Sequence, residues 1–143
     1  MLKIAGAKVF RNGEFVEDDI FIEGDRIVAT GDETGEVIHA KGLLAIPGLV
    51  DVHSHGAVGH DFCDGTHESI DAITRYEASR GVTAWCGTTM TFPEEKLAGI
   101  MECAAEHVDA SDAAALVGIN MEGPFISPEK VGAQNPAYVQ QCN

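Results

Sequence analysis

Three observations predict an α/β fold. Apolar runs begin at Gly48, Val82 and Ala115, at intervals of 34 and 33 residues. The segments between them carry apolar residues at helical spacing, and strand–helix alternation of this length implies a parallel sheet with helical crossovers. The first 46 residues follow a different pattern of short strands punctuated by turn dipeptides. The chain therefore divides into a β-rich segment, residues 1–46, and an α/β segment, residues 47–143.

In the first segment, Leu2–Phe10 reads as a strand that ends at Asn12-Gly13, a strong hairpin signal. Asp19–Glu23 and Arg26–Ala29 flank Gly24-Asp25 and predict a second hairpin. Turn signals at this spacing predict a small antiparallel sheet. Pro47 then separates it from the first strand of the second segment, Gly48–His55. Thr66 is placed to cap a helix with apolar positions Ile70, Ile73, Tyr76 and Ala78, stopping at Arg80-Gly81. Val82–Thr89, rich in Val, Thr and Trp, is the second strand. Pro93 fits the first turn of a second helix, where Glu94 and Glu95 complement the dipole. The apolar stripe of that helix is Leu97, Ile100, Met101, Ala104 and Val108. Ala115–Met121 is the third strand. No glycine-rich nucleotide-binding loop follows the first strand, which argues against a Rossmann domain. The spacing by itself leaves an open sheet and a closed barrel equally available.

Composition narrows the function classes. With 143 residues, 45% hydrophobic and 22% charged, the chain has the make-up of an ordinary globular protein. It lacks the ~20-residue apolar run of a membrane span and the N-terminal pattern of a secretory signal, so a cytoplasmic location is expected. The net charge of −14 repels phosphate backbones and anionic lipid, excluding nucleic acid and membrane as expected partners. Cys63, Cys86, Cys103 and Cys142 form no C-x-x-C pair and read as reduced, structural thiols.

The chemistry gathers where a parallel sheet places it, at the carboxyl ends of strands. His53 and His55 close the first strand, and residues i and i+2 of a strand point the same way, with Asp51 below them. Two neutral imidazoles side by side are half of a Zn²⁺ or Fe²⁺ site. Taken alone the spacing is weak, since most such pairs are ordinary surface or core residues. Glu122 directly follows the third strand, where a carboxylate is costly to desolvate unless paired or cation-bound. Asn120 shares its face. Two imidazoles and one carboxylate would hold a metal that lowers the pKa of bound water and polarises a carbonyl, as amide hydrolysis requires. The loop from Glu122 to Pro136 carries three prolines and two glycines in 15 residues, and Gly132-Ala133-Gln134-Asn135 offers polar groups to a ligand. His60 is a further loop residue able to face substrate. His39, His67 and His107 read as unpartnered surface positions, and Trp85 as core.

The run Pro47-Gly48-Leu49-Val50-Asp51-Val52-His53-Ser54-His55-Gly56 resembles the first-strand signature of the amidohydrolase superfamily. The segments Asp61–Thr66 and Glu122–Pro136 are narrower: they resemble the N-acetylglucosamine-6-phosphate deacetylase family over essentially the whole chain. The resemblance implies a partial (β/α)₈ barrel, its first three βα units, preceded by part of a small β-sandwich. It implies hydrolysis of the N-acetyl group of N-acetylglucosamine 6-phosphate, in amino-sugar catabolism. It makes Glu122, His53 and His55 ligands of a divalent Zn or Fe ion, and Ala133 and Gln134 contacts of the small-molecule amino-sugar phosphate. It also admits a homodimer for the full-length enzyme. Gln134 and Asn120 stand where the family often has His; Gln donates a hydrogen bond but carries no charge near a substrate phosphate. A complete barrel needs ~250 residues, so the general-base Asp is expected beyond Asn143 and the 143 residues alone are expected to be inactive. Two alternatives stand beside this reading: a dihydroorotase- or dihydropyrimidinase-like hydrolase of cyclic amides, and a non-catalytic metal-binding fragment.

Overall fold

A computed structural model describes residues 1–31, 35–108 and 113–142. The chain divides into two compact units, with the boundary between Pro47 and Gly48. In the first unit, β1 (Leu2–Arg11) and β2 (Glu14–Glu23) form the hairpin that Asn12-Gly13 signals. Both turn residues have positive φ, 53° and 91°, the left-handed pair that matches strand twist in a two-residue hairpin. β3 (Arg26–Val28) adds to β2, antiparallel, across Gly24-Asp25.

The sheet is not antiparallel throughout, which corrects the expectation for residues 1–46. β4 (Glu36–His39) and β5 (Leu44–Ala45) both pair with β1 in parallel. After β3 the chain returns to the free edge of β1 and runs in the direction of β1. The two parallel strands meet β1 on either side of its bulge between Ile4 and Ala7. There the Gly6 N–H donates to Asp19 Oδ1 at 2.8 Å, and Lys3 Nζ lies 2.9 Å from Asp19 Oδ2. These two contacts hold the Asp19 carboxyl below the usual carboxylate range. Ala7, Val9 and Ala40 form the small core of this unit.

In the second unit β6 (Leu49–Ser54), β9 (Val82–Thr89) and β10 (Ala115–Met121) form a parallel sheet with β9 in the centre. Between β6 and β9 lie the short pair β7 (Gly56–Ala57) and β8 (His60–Asp61), a 3₁₀ turn at Phe62–Asp64 and helix α1 (His67–Ser79). The Thr66 hydroxyl caps α1, accepting from the Ser69 N–H. Ile70, Ile73, Thr74 and Glu77, at helical spacing, are buried on one face.

Helix α2 (Glu94–Glu106) starts one residue later than expected, with Pro93 at the N-cap. Leu97, Ile100 and Ala104 of its predicted stripe are buried. Val108 falls past the end of the helix and is exposed, because the helix closes at His107 before another turn can face the core. Among the described residues no α-helix follows β10: a loop with a 3₁₀ turn at Pro136–Tyr138 stands there, so the third strand lacks the helix of a complete βα unit.

Trp85, from the middle of β9, meets Phe62 edge-on with ring centroids 5.9 Å apart. Phe62 in turn covers Gly87, where a Cβ would strike the ring. Gly87→Ala is therefore expected to cost about 1–3 kcal/mol by overpacking, read as a lower urea midpoint with an unchanged m-value. A variant as stable as the parent would mean that the ring shifts freely. The described residues contain no helix long and apolar enough to cross a membrane.

Candidate metal centre

β6 carries His53 on its penultimate residue, and the chain continues extended through His55. Alternation across the strand then brings both imidazoles to one side, Nε2 to Nε2 at 3.3 Å. Asp51, two residues back, is turned to the backbone, its Oδ1 accepting from the His53 N–H at 2.9 Å. Two strand positions away in the sheet, the residue after β10 is Glu122, whose Oε2 lies 3.1 Å from His55 Nε2 and 3.5 Å from His53 Nε2. One donor atom from each residue falls within 4.8 Å of the others, and all three side chains reach solvent.

These three side chains could hold a divalent ion: two imidazoles and a carboxylate converge with room left for water or substrate, each Nε2 facing the Glu122 carboxylate. The Glu122 carboxyl is held below the usual carboxylate range, first by a hydrogen bond from Gln134 and then by the neighbouring His55 and His53, against the opposing effect of burial. It is thus a carboxylate at neutral pH, the form that ligates.

Gln134 itself is buried rather than presented to solvent. Its Oε1 accepts from the Thr91 N–H at 2.7 Å, and Thr91 Oγ1 donates to the Glu122 carbonyl at 3.0 Å. Gly123 makes this closeness attainable: its φ is +93°, and a Cβ there would meet Thr91. Thr91 and Gln134 together pin the backbone and the carboxylate of Glu122. Thr91 was not marked out by the sequence, since its role depends on the loop after β10 folding back over the end of β9. Ala133, beside Gln134, is exposed, and Asn120 donates from Nδ2 to the Val52 carbonyl at 3.4 Å. His60 is occupied elsewhere, its Nδ1 3.4 Å from Ser69 Oγ at the start of α1.

One expectation is corrected. His67 is a surface residue as expected, but it is not unpartnered, its Nδ1 lying 2.7 Å from His107 Nε2; His107 is both partnered and buried. They come from different helices 40 positions apart, so no spacing rule could pair them. The cysteines are all free, and burial pushes the Cys63 thiol up to about 11.

A parallel α/β unit with paired imidazoles and a carboxylate at its strand ends is the architecture of the amidohydrolase family, and the comparisons with known proteins agree. No protein-family model matches the chain. An N-acetylglucosamine-6-phosphate deacetylase of Vibrio furnissii is 40% identical over 112 residues, covering 78% of the chain and 28% of that protein. The enzyme of the same name from Mus musculus is 28% identical over 153 residues, covering 98% of the chain and 37% of the relative.

Among solved structures, the Thermotoga maritima N-acetylglucosamine-6-phosphate deacetylase superposes with a TM-score of 0.83 at 25% identity, over 99% of the chain and 37% of that structure. A Mycobacterium smegmatis deacetylase mutant, in complex with N-acetyl-D-glucosamine-6-phosphate, gives 0.80 at 25% identity over 99% and 38%. A D-hydantoinase of Bacillus sp. AR9 gives 0.55 at 25% over 89% and 28%. The chain is homologous to the N-terminal part of N-acetylglucosamine-6-phosphate deacetylase. It spans about a third of the length of these curated relatives.

Proposed function

We propose that the chain carries the first part of the active site of a metal-dependent deacetylase, which hydrolyses N-acetylglucosamine 6-phosphate to glucosamine 6-phosphate and acetate. The observation that supports this most is the convergence of His53, His55 and Glu122 within 4.8 Å at the strand ends. In this reading residues 47–143 begin a (β/α)₈ barrel, and the sheet of residues 1–46 belongs to a small β-sandwich.

His53, His55 and Glu122 would hold a Zn or Fe ion, which when bound supplies Lewis acidity toward the amide carbonyl and an acidified water. Glu122 brings negative charge to the donor set, and Gln134 keeps that carboxylate deprotonated and aimed. Ala133, exposed next to Gln134, offers its backbone to the amino-sugar phosphate. Gln134, expected as the neighbouring contact, is buried with its amide engaged by the Thr91 N–H and Glu122, so its role in this reading is to support the metal ligand.

The hydantoinase likeness keeps a cyclic-amide substrate as the second reading. Assays of a full-length homologue carrying this segment against amino-sugar phosphates and cyclic imides separate the two. The 143 residues by themselves are expected to bind metal without measurable turnover. Calorimetric titration with Zn²⁺ tests the site: His53→Ala is expected to weaken one binding event by roughly 100-fold or more, as loss of a ligand exceeds the 10–100-fold typical of outer-sphere changes. Identical isotherms for parent and variant would remove the metal from this site.

A further inference from the structure

We propose that His67, Cys103 and His107 form a zinc site that ties α1 to α2, sharing no residue with the cluster at His53. His67 opens α1, Cys103 lies on the last turns of α2, and His107 closes α2. Their donor atoms lie within 4.8 Å of one another: His67 Nδ1 is 2.7 Å from His107 Nε2 and 3.9 Å from Cys103 Sγ.

One thiolate and two imidazoles are a zinc set, too soft for Mg²⁺ or Ca²⁺. Zinc bonds of about 2.0–2.3 Å in tetrahedral array hold their ligand atoms about 3.3–3.6 Å apart. The two nitrogens must therefore part by roughly half an ångström, and the sulfur, 3.9 Å from His67 Nδ1 and within 4.8 Å of the His107 donor, must close toward both by side-chain rotation.

The outer nitrogens supply a second, independent observation. His67 Nε2 faces Glu106 Oε2 at 3.3 Å, and His107 Nδ1 faces Asp71 Oδ1 at 3.7 Å. Each imidazole thus turns one nitrogen inward to the common point and the other toward a carboxylate, which is the support that metal-bound histidines receive. A pair held only by its own hydrogen bond needs no such carboxylate on both outer edges, nor a thiol on the inner one. Arg75 also reaches Asp71, at 3.9 Å, and is the cation with which the site shares that carboxylate. Zinc binding would displace the Cys103 proton to solvent, and the exposed side of His67 leaves the fourth position to water.

Cobalt(II) is the probe, because only a thiolate ligand gives sulfur-to-cobalt charge-transfer absorption and the cluster at His53 contains no sulfur. The 143-residue chain titrated with Co²⁺ is expected to develop that band to one equivalent, and Zn²⁺ to abolish it. Cys103→Ser is expected to remove the band while far-UV circular dichroism stays that of the parent. Asp71→Asn and Glu106→Gln are expected to weaken Co²⁺ binding roughly 10–100-fold without removing it. His53→Ala is expected to leave the band in place, so failure of the first metal centre and failure of this one read out separately. Absence of the band in the parent, or its persistence in Cys103→Ser, overturns the proposal.

Discussion

Truncating Trp85 to alanine is expected to remove most of the stability of the second unit. The indole is wholly buried at the centre of β9, edge-on to Phe62, in a core that includes Ile70, Ile73, Leu97, Ile100 and Leu116. Large-to-small changes of this kind cost about 3–5 kcal/mol, the lost transfer energy plus the cavity left behind. Domains of this size have only about 5–15 kcal/mol in total, so the variant would stand close to its unfolding midpoint in water. Trp85 is the single tryptophan, so the transition must be followed by far-UV circular dichroism rather than fluorescence. Trp85→Phe keeps most of the apolar volume and drops the indole N–H, which has no partner in the core. It is expected to lose much less. A cost below about 1 kcal/mol for the alanine variant would mean that the core collapses around the gap.

Replacing Gln134 with leucine is expected to weaken metal binding at His53, His55 and Glu122 by about 10–100-fold, although Gln134 touches no metal in the proposed site. Leucine fills a similar volume but withdraws two interactions at once. The Thr91 N–H loses its acceptor, a buried donor whose desolvation costs about 1–3 kcal/mol. Glu122 loses the hydrogen bond that contributes most to keeping its carboxyl acidic, so its pKa moves up toward the ordinary carboxylate value. The sign follows directly: a hydrogen bond to the charged form favours it, and deletion favours the proton. Zinc titration together with a carboxyl NMR pH titration checks both effects. Gln134→His restores a ring N–H donor and is expected to recover part of the affinity. An unchanged zinc Kd in Gln134→Leu would show that Glu122 is held by its backbone contacts to Thr91 alone.

Several elements could be read before any coordinates. The hairpin at Asn12-Gly13, the Thr66 cap and the limits of Val82–Thr89 and Ala115–Met121 all rest on interactions within a few residues, and each stands where its local pattern places it. The pairing of His53 with His55 is of the same kind, because strand alternation alone brings i and i+2 together. Other features have no local signature. That β4 and β5 join β1 in parallel depends on which sheet edge is free when the chain returns. That Gln134 is buried against Thr91 depends on how the loop after β10 closes.

The order of strands and helices, the acidic character of the chain and the two imidazoles at a strand end follow from residue order, because periodicity, charge and turn chemistry act over short distances. The third side chain of that cluster, Glu122, could be named from its place after the third strand, but its contact with both imidazoles, the support given by Gln134 and Thr91, and the meeting of His67 and Cys103 with His107 arise only on folding. Each depends on the register of β10 against β9 or on the rotation of α1 against α2, and those are set by the packing of Trp85, Phe62 and their neighbours rather than by any stretch of adjacent residues.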